Sequence, residues 1–174
     1  MFRKATINDI DAITSIYDKI HDLDEAGKIH VGWKRGLYPV RQTALDSLNR
    51  DDLYVCELNG KVVASAIINE TELSAYRQVE WHTPAKDNEV LVLHTLVVDP
   101  DVSNQGIGHR FVEFYEQLAR EGGYKVLRID TQAQNTRARR MYKSLGFTEV
   151  GIVVTDGFYG LPPVNLVLLE KPVK

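Results

Sequence analysis

Cysteine is nearly absent from this chain, which contains a single residue of that type, Cys56. One cysteine excludes an internal disulfide and any zinc site built from clustered cysteines. It stands in the strand-like run 53–58, where the simplest interpretation is a buried and inert thiol. The five histidines include no pair at H-x-x-x-H spacing, so no metal site is predicted.

Long apolar runs and an excess of positive charge are also missing. No apolar stretch approaches the length of a membrane span, and the first residues lack the apolar segment of a secretion signal. The formal net charge is −3, which gives no electrostatic reason to expect binding to a phosphate backbone. We therefore expect a soluble cytoplasmic protein with neither a membrane nor a nucleic-acid partner.

The composition is that of a globular protein. Hydrophobic residues make up 44% and charged residues 26% of the 174 residues, which suits a single domain over residues 1–174. Apolar periodicity and turn residues predict the order β-αα-βββ-α-β-α-ββ, a mixed α/β layer protein. The predicted strands are 2–6, 53–58, 61–68, 90–98, 125–129, 147–154 and 164–169; the predicted helices are 10–20, 39–49, 108–121 and 135–145, and the segment 70–79 is ambiguous but compatible with a helix.

The most informative stretch is 103–109, with the sequence Ser-Asn-Gln-Gly-Ile-Gly-His. It follows the apolar strand 90–98 and leads into a helix. The first N–H groups of a helix have no internal acceptor and lie at the positive end of the helix dipole. Glycine at this point lets the backbone come close to a phosphate. The segment therefore predicts a binding site for a phosphorylated cofactor.

A dinucleotide fingerprint is one interpretation of this loop. Gly106 and Gly108 match two glycines of G-x-G-x-x-G, and Asp130 lies about where the ribose-binding acid should be. Against it, Phe111 occupies the third glycine position, the first glycine lies well beyond the strand, and too little chain follows Asp130 for a doubly wound sheet. A P-loop is excluded, because no glycine precedes the Lys-Ser/Thr pair that this motif requires.

A second pattern fits better. Residues 96–100 (Leu-Val-Val-Asp-Pro) precede the loop, and Gly106 and Gly108 occupy the glycine positions of the acyl-CoA signature [RQ]-x-x-G-x-[GA], with Ser103 at its first position. Residues 135–147 match N-x-x-A-x-x-x-Y-x-x-x-G-F at every specified position. Together, in this order and separated by one strand, the two motifs resemble those of the GNAT superfamily of N-acyltransferases.

This resemblance implies a mixed, mostly antiparallel central sheet flanked by helices, and acetyl-CoA as the cofactor. It implies that backbone N–H groups at the helix start hold the pyrophosphate and that a strand end pairs with the pantetheine arm. Asn135, which also suits a helix N-cap, holds the arm from the other side, and Tyr142 is the general acid or else a core tyrosine. The implied cofactor-binding residues are Leu96, Val97, Val98, Asn104, Gln105, Gly106, Ile107, Gly108, His109, Asn135 and Tyr142.

His94 interrupts an otherwise apolar strand, and strict alternation places it on one face with Leu96 and Val98. An imidazole titrates near neutrality, so His94 is a candidate general base for an amine. The alternative is a core histidine that is bonded to Asp130 or to a backbone carbonyl.

Three further residues, Glu80, His82 and Glu89, flank the expected acceptor side of the same strand and are rival bases. Asp130 ends its strand beside the expected cleft. It positions His94, meets a cationic substrate or is an ordinary acid at a strand end, and the sequence leaves these alternatives open.

The acceptor site is the part that the sequence constrains least. The resemblance implies that it comes from the irregular segment after the first helix and from the last hairpin. Those segments carry Trp33, Phe158 and Tyr159, and Glu80 and Trp81 are further candidates for binding the substrate. Aromatic side chains suit an amine ligand and equally a homodimer contact.

We therefore expect an N-acetyltransferase that passes the acetyl group of acetyl-CoA directly to a primary amine, with a small-molecule acceptor preferred over a protein. Cys56 lies away from both motifs, so no covalent acyl-enzyme is expected. The alternative is a non-catalytic acyl-CoA-binding or sensor domain of the same fold. Ser103 and the lack of a carboxylate within residues 90–98 favour that alternative.

Overall fold

The computed structural model describes residues 1–102, 104–157 and 160–174, so Ser103, Phe158 and Tyr159 lie outside the described residues. The strands are β1 (Phe2–Lys4), β2 (Leu53–Leu58), β3 (Lys61–Asn69), β4 (Val90–Val98), β5 (Val126–Gln132), β6 (Thr148–Val154) and β7 (Asn165–Pro172). The helices are α1 (Ile10–Glu25), α2 (Arg41–Asn49), α3 (Ile107–Gly122) and α4 (Thr136–Ser144). This order of strands and helices confirms the predicted fold class.

The described strands form one seven-stranded sheet in the order β1-β2-β3-β4-β5-β7-β6. Neighbouring strands pair antiparallel except β4 and β5, which are parallel. The sheet is therefore mixed and mostly antiparallel, as predicted. Asn59 and Gly60 join β2 to β3, and both have positive φ, as a two-residue hairpin turn of this kind requires.

Both faces of the sheet are covered. On one face, α3 and α4 pack through an apolar cluster that includes Phe111 and Tyr142. On the other face, α1 and α2 pack through a cluster that includes Ile13 and Tyr17. A short 3₁₀ helix, Ser74–Gln78, lies over β4, β5 and β7 on that second face.

The helices are of moderate length and two-sided. The longest, α1 and α3, have 16 residues each and bury one apolar stripe against the sheet. Gly123 ends α3 in a left-handed conformation, as helix-terminal glycines often do. Among the described residues, no helix combines the length and the apolar character needed to span a bilayer.

The two parallel strands pair over only part of their length. Their ladder ends at Leu93 and Ile129, although β4 continues to Val98 and β5 to Gln132. Beyond this point β4 stays paired to β3, and β5 stays paired to β7. The carboxyl ends of β4 and β5 therefore diverge and leave a gap in the middle of the sheet.

A β-bulge lies in β4 at the beginning of this gap. His94 pairs with Ile67 and Val97 pairs with Ser65, so three steps along β4 match two along β3. Thr95, within the bulge, has a φ of 51°. The extra residue shifts the alternation of side chains along the rest of the strand.

The bulge corrects one sequence prediction. Leu96 and Val98 pack with the cluster under α3 and α4, whereas Ile67, the ladder partner of His94, belongs to the cluster under α1. Residues that face each other in a ladder point to the same side of a sheet. The prediction that His94 shares a face with Leu96 and Val98 is therefore wrong, because the extra residue reverses the alternation.

Several predicted boundaries also change, among them the ends of two strands. The strand predicted to end at residue 129 continues to Gln132, because its polar end remains paired with β7. The last strand reaches Pro172 instead of ending at residue 169, for the same reason. The ambiguous segment 70–79 contains the 3₁₀ helix Ser74–Gln78 rather than an α-helix.

Candidate active site

A cavity of about 350 Å³ lies where β4 and β5 diverge. Both strand ends line it, together with the segment after α1, the end of β3 and the first turns of α4. Because the strands separate there, side chains from both faces of the sheet reach the same space. The predicted site residues in its lining are Trp33, His94, Leu96, Asn135 and Tyr142.

The start of α3 presents unpaired donors. Gly106 precedes the helix with a φ of 71°, and an added Cβ would meet no atom within 4 Å. The backbone N–H groups of Ile107, Gly108 and His109 have no acceptor among the described residues. These donors lie at the positive end of the helix dipole, so the helix start is suited to an anion.

Gly108 lies at a close approach between α3 and its neighbours. An added Cβ would lie 3.1 Å from Sδ of Met141 and 3.9 Å from Cγ2 of Val98. Ile107 is 2% exposed and packs in the core, which anchors this first turn. Glycine at this position therefore lets the helix start come close to both β4 and α4.

The loop before α3 is exposed and linked to α4. Asn104 has a φ of 66°, and its Oδ1 accepts a hydrogen bond of 3.0 Å from Nη2 of Arg137. His109 Nε2 lies 3.5 Å from Oγ of Ser144, near the other end of α4. Gln105 is exposed beside this loop. The predicted cofactor residues of the two motifs are thus neighbours in the fold.

The three strand residues predicted to bind the cofactor have different surroundings. Leu96 lines the cavity, Val97 is buried under α1, and Val98 packs with the cluster under α3. Beyond Leu93 the edge of β4 that faces β5 pairs with no strand in the described part of the chain. An extended chain of amides fits such an edge, because it can pair with free main-chain groups.

Tyr142 extends from α4 to the cavity and is 6% exposed. Its ring packs on Phe147, with ring centroids 5.9 Å apart. Its hydroxyl has no hydrogen-bond partner among the described residues. Burial raises the pKa of Tyr142, and the nearby charge of Asp130 raises it further. The hydroxyl therefore keeps its proton at neutral pH and has it available to donate.

Asn135 has the predicted N-cap position of α4. Its Oδ1 accepts a hydrogen bond of 3.2 Å from the backbone N–H of Ala138. Both residues also line the cavity. The side-chain oxygen is thus used for capping, while the amide NH₂ has no partner among the described residues.

His94 lines the cavity from the face of the sheet opposite to Leu96. Its Nε2 lies 2.9 Å from the carbonyl oxygen of Thr71. A carbonyl only accepts, so Nε2 carries the proton and the lone pair of the neutral ring is on Nδ1. Burial lowers the pKa of His94 below its usual range, against the opposing influence of Asp130 and of the Thr71 bond. The imidazole is therefore neutral at pH 7, with one nitrogen able to accept a proton.

Asp130 lies on β5 and also lines the cavity. Its Oδ2 accepts a hydrogen bond of 2.8 Å from the hydroxyl of Tyr76. Burial raises the pKa of Asp130, whereas the charge of a protonated His94 and the Tyr76 bond lower it. His94 and Asp130 interact electrostatically without a direct hydrogen bond among the described contacts.

The predicted acceptor residues are only partly brought together. Trp33 lines the cavity, whereas Glu80 is exposed and Trp81 does not reach the lining. Trp81 packs instead against Arg128, whose guanidinium lies 4.1 Å from the ring centroid, and its Nε1 donates to the carbonyl of Tyr76 at 3.1 Å. Trp81 is therefore a packing residue of the second face in this structure.

The remaining acceptor predictions have varied positions. Phe158 and Tyr159 lie outside the described residues. His82 and Glu89, the rival bases, do not line the cavity. Of the four candidate bases, only His94 reaches the same space as Tyr142.

Sequence reasoning missed several polar residues of the cavity, namely Arg50, Asn69, Thr71 and Gln132. They come from separate parts of the chain and belong to neither motif. A weak signal existed for Asn69 and Gln132, because each is a polar residue that ends an apolar strand. No signal pointed to Arg50 or Thr71, whose positions depend on how distant segments meet.

The arrangement fits a thioester-bearing nucleotide. The helix start offers free donors for a diphosphate, the diverged strands offer an unpaired edge, and a buried hydroxyl with its proton lies beyond. Over residues 1–102, 104–157 and 160–174, no group of three or more His, Cys, Asp or Glu side chains could hold a metal ion.

The chain also matches the model of a known protein family. The model described as "Acetyltransferase (GNAT) family" matches residues 13–147 of the 174 residues. The chain belongs to the GNAT acetyltransferase family. The resemblance predicted from the two motifs is thereby confirmed, and GNAT acetyltransferases use acetyl-CoA, the predicted cofactor.

Among its relatives, this GNAT chain is 26% identical over 152 residues to an uncharacterized N-acetyltransferase of Methanocaldococcus jannaschii. That match covers 87% of the chain but 62% of the archaeal protein. A shorter stretch of 60 residues, 34% of the chain, is 35% identical to the [ribosomal protein bS18]-alanine N-acetyltransferase of Escherichia coli and covers 40% of it.

A solved structure supports the GNAT fold. The chain superposes on yncA of Salmonella typhimurium, solved with its cofactor acetyl-CoA, with a TM-score of 0.72 and 20% sequence identity. The superposition covers 100% of this chain and 94% of the other. At this identity the likeness is one of fold.

Proposed function

We propose that this GNAT chain is an acetyl-CoA-dependent N-acetyltransferase that transfers the acetyl group to a primary amine of a small molecule. One observation carries the proposal. A neutral His94 and a protonated Tyr142 line the same cavity from opposite faces of the sheet, where β4 and β5 diverge. An acceptor amine needs a base and the leaving sulfur needs an acid, and this cavity contains one of each.

The cofactor is held, in this proposal, by backbone groups more than by side chains. The N–H groups of residues 107–109 bind the diphosphate at the start of α3. The free edge of β4 at Leu96 pairs with the pantetheine arm. The amide NH₂ of Asn135 reaches the arm from α4. Side-chain identity in the loop then matters little, so Ser103 at the first motif position is compatible with binding.

The chemistry follows from the two titratable groups. When bound, acetyl-CoA supplies an activated acetyl group and a thiolate leaving group. Nδ1 of His94 accepts the proton of the attacking amine, directly or through water. The hydroxyl of Tyr142 donates its proton to the departing sulfur. A main-chain N–H on the free edge of β4 donates to the oxygen on which negative charge develops.

Transfer is direct in this proposal, without an acyl-enzyme. Cys56 is the chain's single thiol, it is 4% exposed on β2, and it does not line the cavity. Burial also raises the pKa of the Cys56 thiol, which disfavours the nucleophilic thiolate.

A protein acceptor is the second candidate. The identity of 35% over 60 residues with an enzyme named for the alanine of ribosomal protein bS18 favours a protein N-terminal amine. The volume of about 350 Å³ favours a small amine or one terminal residue of a peptide. Both acceptors present a primary amine to the same two groups, so the assay must include both.

Release of free CoA from acetyl-CoA tests the proposal. The acceptors are amino acids, polyamines, aromatic amines and a short peptide that begins with alanine. We expect at least one small amine to accelerate release, and Tyr142→Phe to lower kcat by about 10²-fold or more with the Kd for acetyl-CoA unchanged. Faster release with the peptide alone would favour a protein acceptor. Binding of acetyl-CoA without acceleration by any amine would favour the non-catalytic alternative.

A further inference from the structure

Tyr76 holds a group of the cavity without lining the cavity itself. It lies in the 3₁₀ helix Ser74–Gln78, is 1% exposed and packs against Trp81 with ring centroids 5.4 Å apart. Its hydroxyl donates a hydrogen bond of 2.8 Å to Oδ2 of Asp130. Tyr76 is therefore a buried packing residue that also donates a hydrogen bond to a carboxylate in the lining of the cavity.

The bond leaves the other carboxylate oxygen available. Oδ1 of Asp130 has no hydrogen-bond partner among the described residues, and Asp130 lines the cavity beside His94. We propose that Tyr76 is a positioning residue for the acceptor end of the site, because its hydroxyl holds the Asp130 carboxylate in place beside His94. The inference rests on the proposed function, since it assigns His94 as the base.

The charges around His94 make Asp130 the important neighbour. From β5, the Asp130 carboxylate favours a protonated imidazole. From the segment after α2, Asp52 favours and Arg50 disfavours it, and these two form an ion pair at 2.9 Å. Because opposite charges so close together largely cancel at a distance, Asp130 supplies the main net field at the ring.

The groups around Asp130 come from three elements. His94 faces it from β4, Tyr142 from α4, and Tyr76 from the 3₁₀ helix. Only the Tyr76 hydroxyl donates a hydrogen bond to it among the described residues. Glu72 lies near Tyr76 as well, but its charge is paired with Arg128 at 2.6 Å.

Asp130 and Tyr76 therefore have different roles. An ionised Asp130 makes His94 a stronger base and stabilises the imidazolium once the proton of the amine has arrived. The Tyr76 hydroxyl stabilises the ionised form of Asp130, since a hydrogen bond to a carboxylate favours its charged state. Without that hydroxyl the carboxylate takes up a proton at higher pH, and its field at His94 is lost there.

Three variants separate this role from a structural one. Tyr76→Phe removes the hydroxyl, and Asp130→Asn removes the charge. Tyr115→Phe is the matched control, because Tyr115 is equally buried and its hydroxyl donates to the carbonyl of Leu91 at 2.5 Å, on the opposite face of the sheet. The readouts are the acid limb of the pH profile of kcat/KM and the titration of the Asp130 carboxyl, followed by ¹³C NMR without ligands.

The two site variants should shift the acid limb in the same direction but by different amounts, and only Tyr76→Phe leaves an Asp130 carboxyl to titrate. In Tyr76→Phe the NMR midpoint of Asp130 moves to higher pH by about one unit. The acid limb moves to lower pH by less than in Asp130→Asn, because His94 loses only part of the field of the ionised carboxylate. In Asp130→Asn the limb moves to lower pH, because His94 loses the charge that raised its proton affinity. Adding Tyr76→Phe to Asp130→Asn should cause no further change in the pH profile of kcat/KM. Tyr115→Phe loses stability but keeps the wild-type midpoint and limb.

An Asp130 midpoint in Tyr76→Phe equal to that of wild type, or of Tyr115→Phe, would overturn the inference. If Tyr76→Phe does not fold, the variant that combines it with Asp130→Asn is compared with Asp130→Asn alone. A difference between their pH profiles would overturn the inference, because Tyr76 would then act through a group other than Asp130. Failure of the proposed function has a different signature. No amine would then be acetylated by the wild-type chain, while the NMR titration would still decide what Tyr76 does.

Discussion

At the scale of single residues, burial decides the chemical state of the side chains that line the cavity. Loss of solvent disfavours whichever form of a group is charged. It therefore keeps the imidazole of His94 neutral and the phenol of Tyr142 protonated, the two states that proton transfer from an amine to a sulfur requires. The charge of Asp130 favours a proton on both neighbours, so it opposes the effect of burial on the pKa of His94 and reinforces it on the pKa of Tyr142.

The half-buried imidazole of His94 makes folding stability depend on pH. Its pKa is lower in the folded chain than the ordinary 6.5. Below pH 6.5, and above the pKa of His94 in the folded chain, this imidazole binds a proton in the unfolded chain but not in the folded one. The free energy of unfolding therefore falls as the pH falls through this range. His94→Gln keeps a donor for the Thr71 carbonyl without a titrating ring. We expect its free energy of unfolding to fall less than that of wild type on acidification.

Urea unfolding at several pH values from 7.5 to 5.5 measures this difference. The stability of wild type minus that of His94→Gln should shrink steadily toward low pH. Two parallel curves would show that the imidazole titrates equally in the folded and unfolded chain, against the expected effect of its burial.

Asn135 should affect stability and cofactor binding separately. Loss of the N-cap bond to Ala138 in Asn135→Ala is expected to cost about 1 kcal/mol of unfolding free energy. Asn135→Ser keeps a capping oxygen and should keep most of that stability, but it removes the amide NH₂. We expect both variants to raise the KM for acetyl-CoA. If the serine variant bound acetyl-CoA as wild type does, the cap would be the whole role of Asn135.

At the scale of elements, the site depends on three local irregularities in otherwise regular structure. The bulge at Thr95 turns His94 to one face and Leu96 to the other. The early end of the β4–β5 ladder opens the sheet between them. The left-handed Gly106 ends the loop and begins α3 with its first donors unpaired. Each irregularity leaves backbone groups available that a regular element would have used.

The two ends of α3 provide a matched pair of variants. Gly106 and Gly123 both have left-handed φ, of 71° and 74°, and neither has an atom within 4 Å of an added Cβ. Alanine at either position should therefore cost a similar amount of stability, about 1 kcal/mol, through backbone strain alone. Only Gly106→Ala changes the end of α3 with unpaired donors. We expect it alone to weaken acetyl-CoA binding, measured by calorimetry.

Equal affinities for acetyl-CoA in the two alanine variants would mean that the backbone at Gly106 does not contact the cofactor. Thermal unfolding of both proteins without ligand supplies the control. Similar losses of stability in the two variants would show that both alanines cause a similar backbone strain. A difference in affinity for acetyl-CoA would then come from the end of α3 at which the alanine lies.

At the scale of the whole molecule, the two faces of the sheet have different tasks. The face under α3 and α4 provides the free helix start and Tyr142, while the face under α1 and the 3₁₀ helix provides His94 and, through Tyr76, the setting of Asp130. The gap between β4 and β5 joins them. A ligand that passes from the start of α3 into this gap contacts elements from both halves of the chain.

Cofactor binding should therefore stabilise the whole fold. At about 100 times its Kd, a ligand that binds only the folded chain adds roughly 2.7 kcal/mol, and for a protein of this size that raises Tm by about 5–10 °C. We expect this shift with acetyl-CoA in a thermal-shift assay and none with NAD, which lacks the pantetheine arm. A shift of similar size with NAD would instead favour the dinucleotide interpretation of the glycine loop.

The sequence alone predicted the order of elements, the glycine loop at a helix start and the positions of Asn135 and Tyr142. These predictions succeed because they depend on local patterns. Apolar periodicity, helix caps and glycine at positive φ act within a few neighbouring residues, so a single stretch of chain carries the information.

Contacts between distant segments decided the rest. The bulge that reorients His94 exists only in the pairing of β4 with β3, and the bond from Tyr76 to Asp130 joins residues from different elements. The sequence alone therefore predicted a glycine loop at a helix start suited to a phosphorylated cofactor. Only the tertiary structure brought His94 and Tyr142, the proposed base and acid, into one cavity, because their meeting requires a sheet whose two central strands separate.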